Sequence, residues 1–204
     1  AHALLTTPGA GKWYRSAGAW ASQRLGFTVG AQGVLEWLPQ ETIVFDAARA
    51  SLRSTVDLAD EARFIGMEVL CLGRRASGEQ FTEGTVHLDT RIRRAGRPVW
   101  LERGRLEGGG SLLNAAAGLA GFSVSGSLLA VAPGIEPGLL AVCRDIPVHE
   151  AGARHGITAL PEMLVARYLG HSSEAARQWL TAVWQTLRPV LTGRETHTPR
   201  IWNT

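Results

Sequence analysis

The sequence has 204 residues, of which 45% are hydrophobic and 19% charged, a composition that can bury the core of one domain. No apolar run approaches the roughly 20 residues of a membrane-spanning helix. The N-terminus has no basic region followed by an apolar stretch, so no signal peptide is expected. The net charge is +3, and the basic residues are scattered among 18 acids, which does not indicate a nucleic-acid-binding protein by charge alone.

The first candidate motif is LLTTPGAGKWYRS, Leu4 to Ser16, because its Gly-Lys pair could belong to a phosphate-binding loop. Such a loop reads G-x-x-x-x-G-K-[ST] and opens a helix. This chain has Thr6 in place of the first glycine and Trp13 in place of the hydroxyl residue, and the following residues alternate as in a strand. The sequence therefore predicts that no nucleotide binds around Lys12.

Alternation of apolar and polar residues dominates the first 130 residues and predicts β-strands. In TVHLDTRI, for example, Val86, Leu88 and Ile92 share one face, and Thr90 lies on the same face. The predicted strands are VLEWL, ETIVF, SLRSTVDL, MEVLCL, TVHLDTRI, RPVWLERGRLE, FSVSGSLLAVA and MLVARYL. Their short spacing without intervening helices predicts a mainly β architecture, with a turn at residues 94–98.

Two helices are predicted in the C-terminal third. In EPGLLAVCRDI, Pro137 suits a first helical turn. The stronger helix follows Ser172 and Ser173, which are both capable N-caps, and Pro189 is expected to end or kink it. Its apolar stripe and the flanking tryptophans are Ala176, Leu180, Val183, Leu187, Trp179 and Trp184. The sequence leaves open whether this helix is a core element or a docking surface.

Catalytic and stable metal sites have no support in the sequence. The 6 histidines have no HxH or HExxH spacing, and there is no CxxC or G-x-S-x-G motif. Cys71 and Cys143 lie among aliphatic residues and are expected to pack as small hydrophobes, which favours a reducing compartment. His149 and His155 are predicted to lie in a solvated loop, with transient metal contact as the alternative.

Arginines concentrate in the predicted hairpin of residues 85–107. They are Arg91, Arg93, Arg94, Arg97, Arg103 and Arg105. Phosphate contact is one interpretation, which would make the chain a nucleic-acid-binding β-domain. Glu102 and Glu107 interleave with the arginines, and no aromatic array accompanies them for base stacking, so solvated strand faces are the prediction.

Three acids lie next to apolar strand residues. They are Glu41, Asp46 and Glu79. A buried carboxylate without a partner is costly, so such acids are paired, hydrogen-bonded, metal-binding or at strand ends. A place at strand ends is the default expectation for each of them.

Four blocks of sequence, TTPGAGKWYRS, LEWLPQETIVF, LGRRASGEQF and VWQTLRPVLTGR…PRIWNT, resemble the urease accessory protein family UreD, also called UreH. The resemblance runs in order along essentially the whole chain and implies a single domain over residues 1–204, with further β-structure upstream. Its P-G-A-x-K-x-Y-R signature falls on Pro8, Gly9, Lys12, Tyr14 and Arg15 and implies a structural turn. Residues 135–162 match only loosely.

This resemblance implies an irregular β-superhelix with two α-helices and a non-enzymatic function in the cytoplasm. Proteins of the family bridge apo-urease to the accessory protein UreF and the GTPase UreG. Nickel passes through them towards the urease active site, and no cofactor is tightly bound. Weak carboxylate and water ligands suit an ion in transit.

The resemblance also leads to two predictions about sites. Glu41, Asp46 and Glu79 are the acids expected to line a nickel route. The C-terminal helix and tail are expected to dock UreF, since aromatic residues and arginine are enriched among interface anchors. The predicted docking residues are Trp179, Trp184, Arg188, Arg200, Ile201 and Trp202.

Overall fold

Twelve strands and three helices make up the molecule, of which this computed structural model describes residues 1–203, with Asn203 described in its backbone only. The strands are β1 His2–Leu5, β2 Gly11–Trp13, β3 Ala21–Val29, β4 Val34–Trp37, β5 Thr42–Val44, β6 Arg49–Leu58, β7 Arg63–Leu72, β8 Thr85–Arg94, β9 Arg97–Glu107, β10 Val124–Val131, β11 Arg154–Leu160 and β12 Met163–Gly170. The helices are α1 Ser111–Asn114, α2 Pro137–Arg144 and α3 Ser173–Thr192, with 3-10 turns at Arg75–Ser77 and Arg200–Asn203.

The strands form two sheets that pack face to face. The larger has eight strands in the order β1-β4-β7-β10-β12-β11, with β5 paired to β7 and β2 paired to β5. The smaller has four strands in the order β3-β6-β8-β9. The prediction of a mainly β protein is confirmed, as are the two helices of the C-terminal third. The β-superhelix implied by the resemblance is not confirmed, since the strands lie in two open sheets.

All eight segments predicted as strands are strands, and β9 has the predicted bounds. The β8–β9 turn places Ala95 and Gly96 at positive φ, as a two-residue hairpin turn between right-twisted strands favours. The prediction of a loop around His155 is wrong, because this residue lies in β11. That strand is an edge strand with Ile157 as its single buried residue, so its sequence shows no alternation.

Helix α3 packs on the outer face of the larger sheet, against β7, β10 and β12. The Ser172 side chain caps it by accepting a hydrogen bond of 3.1 Å from the backbone N–H of Ala175. Both tryptophans lie in the core, and their indole N–H groups donate to the Ile146 carbonyl and to Glu36. Trp179 and Trp184 are therefore core residues of this chain.

Of the two alternatives predicted for Pro189, that it ends helix α3 or kinks it, the first is wrong. The helix continues to Thr192, and Gly193 caps it with a positive φ. A proline inside a helix leaves the carbonyl four residues earlier without its backbone donor. Here the Thr196 hydroxyl donates to that carbonyl, of Gln185, at 3.3 Å, so the proline is accommodated by the chain that follows the helix.

A buried ionic cluster joins the larger sheet to α3. Glu36 of β4 is 0% exposed, and its carboxylate accepts hydrogen bonds from Trp184 at 2.6 Å and from Arg188 Nε at 3.0 Å. His2 Nε2 lies 2.6 Å from the same carboxylate. The guanidinium of Arg188 also donates to the Glu195 carbonyl. One carboxylate therefore ties the first strand, the sheet and the last helix together.

Arg94 departs from the prediction that the hairpin arginines are all solvated. It is 4% exposed, and its guanidinium donates to the backbone carbonyls of Asp60 and Ala62. Its Nε lies 3.0 Å from the carboxylate of Glu162, in the turn between β11 and β12. Arg94 shares the inward face of Ile92 because side chains alternate along a strand, so it bridges the two sheets.

Both cysteines are free and buried, as predicted for small hydrophobic residues. Burial raises the pKa of Cys71 to about 12, with a further contribution from Glu41, and raises the pKa of Cys143 to about 11. The two thiols are therefore protonated and poorly nucleophilic at neutral pH. No helix within residues 1–203 has the length and apolar character needed to span a bilayer.

Candidate functional site

The core between the two sheets is divided into two apolar clusters. One is centred on Phe64, Ile92 and Leu129 at one end of the strands. The other is centred on Leu52 and Leu70 towards the opposite end. A sandwich core is normally apolar throughout, because both inner faces lose contact with water. The interval between the two clusters therefore departs from the usual packing of a β-sandwich core.

Two rows of polar residues face each other across this interval, and we call them the polar layer. In the smaller sheet, Ser54 of β6 pairs with Thr90 of β8, which pairs with Glu102 of β9. In the larger sheet, the paired residues of β7, β10 and β12 are Glu68, Ser127 and Arg167. Side chains of neighbouring strands at the same register lie side by side. The polar layer therefore crosses both sheets.

A cavity of about 100 Å³ lies within the polar layer, lined by residues of all four strands of the smaller sheet. Its volume is sufficient for several water molecules. The polar side chains that line it are Thr7, Gln23, Gln40, Thr42, Ser54, Glu68, Thr90, Glu102 and Ser127. Within residues 1–203, the side chains of four of these residues have no hydrogen-bond partner. They are Ser54, Thr90, Ser127 and Glu68. These groups are suited to water or a hydrated ion, since buried polar groups need partners.

Two carboxylates stand at different depths in this cavity. Glu102 lies towards the edge of the smaller sheet, where Arg167 Nη2 donates to it at 2.7 Å. Burial raises the pKa of Glu68 above its ordinary value, the charge of Glu102 raises it further, and Arg167 acts in the opposite direction. Desolvation of an anion that lacks a hydrogen-bond donor is unfavourable, and a cation nearby would relieve it. A cation in the cavity would stabilise the ionised form of Glu68, as the charge of Arg167 does in part.

The polar layer was not predicted from the sequence, although two inward hydroxyl residues in otherwise apolar rows mark it. Leu52, Ser54 and Val56 alternate on the inner face of β6, and Thr90 falls between Leu88 and Ile92 on the inner face of β8. Each hydroxyl interrupts an otherwise apolar row at the same register. The sequence alone does not show that Ser54 and Thr90 lie side by side, because this depends on the register between β6 and β8.

Glu41 lies beside the cavity and does not line it. Its neighbours Gln40 and Thr42 are lining residues, while its own carboxylate faces α3, 3.9 Å from Arg177 Nη1. Its Oε2 atom is buried and has no hydrogen-bond partner within residues 1–203. A buried carboxylate oxygen without a hydrogen-bond donor is costly, and the ion pair with Arg177 offsets part of that cost for Glu41.

Asp46 and Glu79 lie together at a different place, where they organise a loop. The carboxylate of Asp46 accepts hydrogen bonds from the backbone N–H groups of Thr82, at 2.7 Å, and Glu83, at 2.9 Å. Burial acts to raise the pKa of Asp46, but these hydrogen bonds lower it below the ordinary value. Glu79 accepts from the Asp46 N–H and from Arg74 Nε, the latter at 2.5 Å. Both acids therefore have structural partners.

The segment with the P-G-A-x-K-x-Y-R signature is a turn followed by β2. Strand, and not helix, surrounds Lys12, so the geometry of a phosphate-binding loop is absent there. Pro8 and Gly9 lie in the turn, where the hydroxyl of Thr7 donates to the Gly9 carbonyl at 3.0 Å. The side chains of Lys12, Tyr14 and Arg15 are exposed.

The predicted docking residues are divided between core and surface. Trp179 and Trp184 are 2% and 0% exposed, and Arg188 is engaged with Glu36, so a partner would have to open the core to reach them. Trp202 is partly buried, and its indole N–H donates to Thr6 at 2.8 Å. Arg200 and Ile201 are exposed.

Histidines do not form a metal centre in the described structure. Residues 1–203 contain no group of three or more histidine, cysteine, aspartate or glutamate residues positioned to hold a metal ion. His149 is exposed in a loop, and the ring of His155 packs against Trp179, with 5.3 Å between centroids.

These features define a class of protein, namely a two-sheet β-protein with a polar layer through its core and a long helix over its larger sheet. The chain belongs to the UreD family of urease accessory proteins. The family model described as "UreD urease accessory protein" matches residues 1–203.

Curated relatives agree with this assignment. Proteins named "Urease accessory protein UreD" from Dechloromonas aromatica and Azoarcus sp. are 55% and 52% identical to the chain. Each of these alignments covers 100% of this chain and 71% of the relative. A third, from Janthinobacterium sp., is 49% identical over 100% of this chain and 69% of the relative.

Proposed function

We propose that this chain acts in urease maturation as a non-catalytic cytoplasmic scaffold that bridges apo-urease to UreF and the GTPase UreG. The family and its named relatives support a role with urease. The further step, conduction of nickel towards the urease active site, has the polar layer as its main support. The carboxylate of Glu68 lines this cavity without a hydrogen-bond donor, and burial and the charge of Glu102 both raise its pKa. A cationic cargo would offset both effects.

Nickel is the cargo in this proposal and has no resident site. The ion enters with part of its hydration shell, which the hydroxyls of Ser54, Thr90 and Ser127 and the carboxylates of Glu68 and Glu102 partly replace. Oxygen ligands bind a borderline divalent ion weakly enough to release it. Conduction needs sites that are favourable enough to enter and weak enough to leave. The layer supplies two acids and no cage of ligands, which fits passage better than storage.

Exchange of both cavity acids tests this function. We expect Glu68→Gln combined with Glu102→Gln to lower the nickel content of urease at least threefold at limiting nickel, because the substitution removes negative charge while it keeps side-chain shape. Association with urease, UreF and UreG should be unchanged in size-exclusion chromatography. The matched control is Glu61→Gln, in an exposed turn. Full nickel loading by the double variant would refute conduction through the polar layer.

The acids named from the sequence remain a prediction. Glu41→Gln is the informative single exchange, since Asp46 and Glu79 also hold a loop and their exchange to amides removes hydrogen-bonded charge. A loss of nickel loading in Glu41→Gln with an unchanged melting temperature would support a nickel route that extends to the α3 side of the larger sheet. Full loading would leave Glu41 as the partner of Arg177 alone.

Docking of UreF to the C-terminal tail is the second proposal, and it rests on Arg200 and Ile201. Exposed arginine and large apolar side chains are typical interface anchors. We expect Arg200→Glu to weaken UreF binding about tenfold without a change in melting temperature, with Arg194→Glu as the exposed control for the same change in charge. Deletion of residues 199–204 should weaken binding further, since it also removes Trp202 and its contact with Thr6. Unchanged binding by Arg200→Glu and by the deletion would show that the tail is structural.

A further inference from the structure

A concave surface next to the polar layer has no role in the function proposed so far. It encloses about 650 Å³, and its lining includes Lys12, Tyr14, Arg15, Trp20 and Arg49. We call it the aromatic–basic surface and define it by these five residues. Tyr14 is 65% exposed and Trp20 is 47% exposed, which is unusual for side chains of this size. Tryptophan, tyrosine and arginine are the residues most enriched where binding energy is concentrated in interfaces.

The exposed rings of this surface are held in place by the fold. The Tyr14 ring packs edge-on against Phe45, with 4.8 Å between centroids. The Trp20 ring lies on His87 of β8 at 4.6 Å. Side chains that are ordered before binding lose less conformational entropy when a partner arrives. The rings therefore act as fixed anchors.

The loop between Tyr14 and Trp20 is also fixed, although it is exposed. The Ser16 N–H donates to the Ala47 carbonyl at 3.0 Å, and the Ser16 hydroxyl donates to the Ala19 carbonyl at 2.5 Å. Arg49 Nη1 donates to the Gly18 carbonyl at 3.1 Å. These hydrogen bonds shape the backbone that carries both rings. These hydrogen bonds therefore fix the shape of the concave surface.

The charge of this surface is of one sign. Within the described part of the chain, its lining contains one lysine and two arginines and no acid. The carboxylate of Asp46 forms an ion pair with Arg15 at 3.8 Å and accepts hydrogen bonds from the backbone N–H groups of Thr82 and Glu83. The ammonium group of Lys12 has no hydrogen bond or ion pair within residues 1–203. Complementary charge favours a partner that brings carboxylates.

The aromatic–basic surface adjoins the mouth of the cavity. Gly11, Gln23 and Thr42 line both the concave surface and the inter-sheet cavity. A partner seated on Tyr14 and Trp20 would therefore lie over the point at which the polar layer reaches the surface. The position, charge and residue composition of the aromatic–basic surface therefore all indicate a binding site.

We propose that the aromatic–basic surface docks an acidic segment of a protein partner, which covers the mouth of the inter-sheet cavity. An apolar or aromatic side chain of that segment packs against Tyr14 and Trp20, while its carboxylates meet Lys12, Arg15 and Arg49. This inference rests on the proposed function in one respect, that the partner is the protein that donates or receives the cargo. A nucleic-acid strand is disfavoured, since it requires a row of stacking rings and a continuous basic groove.

Photo-crosslinking identifies the occupant directly. Benzoylphenylalanine replaces Tyr14 in the full chain, which is expressed together with urease, UreF and UreG. We expect a crosslink to a single partner, at a segment rich in aspartate and glutamate. The control position is Leu101, which is 58% exposed on β9; we expect no crosslink from it to the same segment. A crosslink to a basic segment or to nucleic acid, or no crosslink at all, would overturn the proposal.

Two substitutions then measure the contribution of the surface. We expect Trp20→Ala and Lys12→Glu each to reduce retention of the crosslinked partner at least tenfold, with the other partners retained and the melting temperature unchanged. Full retention of the crosslinked partner in both variants, or loss of all partners, would contradict the proposal. Both variants leave Glu68 and Glu102 in place, and the double exchange of those acids leaves this surface intact. A failure here is therefore distinguishable from a failure of conduction.

Discussion

Replacement of Glu36 by alanine is expected to lower the free energy of unfolding by about 3–5 kcal/mol, the cost of leaving a buried charge without its partner. The carboxylate of Glu36 is fully buried and is the acceptor for Arg188 and Trp184. Without it, the Arg188 guanidinium and the Trp184 N–H lose their acceptor in the core. For a chain of this length, such a loss lowers the melting temperature by roughly 10 °C.

Differential scanning calorimetry or thermal circular dichroism measures this effect, and two controls accompany it. Glu107→Ala removes the exposed pair with Arg105 and is expected to cost about 1 kcal/mol or less. Glu36→Leu combined with Arg188→Met replaces the whole pair with apolar groups and should recover much of the loss, because no charge is then left alone. A Glu36→Ala protein that melts within 1–2 °C of wild type would contradict the structural account of the cluster.

Replacement of Arg94 by methionine is expected to cost about 2–4 kcal/mol, because it leaves buried carbonyls without their donor and a carboxylate without its ion-pair partner. The guanidinium holds the β6–β7 turn through Asp60 and Ala62, and it reaches Glu162 across the two sheets. Methionine preserves much of the apolar volume of the arginine stem, so the loss reports on the polar contacts.

The neighbouring residue supplies the matched control for Arg94. Arg93→Met removes a half-exposed pair with Asp57 at 3.9 Å and should change stability by less than about 1 kcal/mol. Urea unfolding of the two variants and of wild type gives the comparison. Equal stability of Arg93→Met and Arg94→Met would show that the buried bridge contributes little to the fold.

The sequence was sufficient for most of the secondary structure, because a strand with one buried face and a capped amphipathic helix both leave a periodic signal. Strand β9 and the start of α3 were predicted at their observed positions. Strand β11 was missed, since an exposed edge strand has no buried face to impose alternation. The sequence left open whether α3 ends or kinks at Pro189, because the replacement hydrogen bond comes from Thr196, beyond the end of the helix.

The sites were harder to predict than the fold, for a physical reason. Parity along β8 places Arg94 and Thr90 on the inner face, yet only the register between strands shows that one bridges the sheets and the other joins the polar layer. The environment of Glu79 depends on a loop contact that no local pattern encodes. Composition likewise suggested docking tryptophans, and only the packing shows that the Trp184 indole N–H donates to the buried carboxylate of Glu36.

Closure of the inter-sheet cavity tests the proposed conduction most directly. Ser54→Leu places a larger apolar side chain in the cavity between Leu52 and Val56, where it should pack with both apolar clusters. Thr55→Leu, on the opposite face of the same strand, is the matched control. The measurement is the nickel content of urease purified from cells that carry each variant at limiting nickel. We expect intact complexes with at least threefold less nickel for Ser54→Leu and normal nickel for Thr55→Leu. Normal nickel in both would show that the ion does not pass between the sheets.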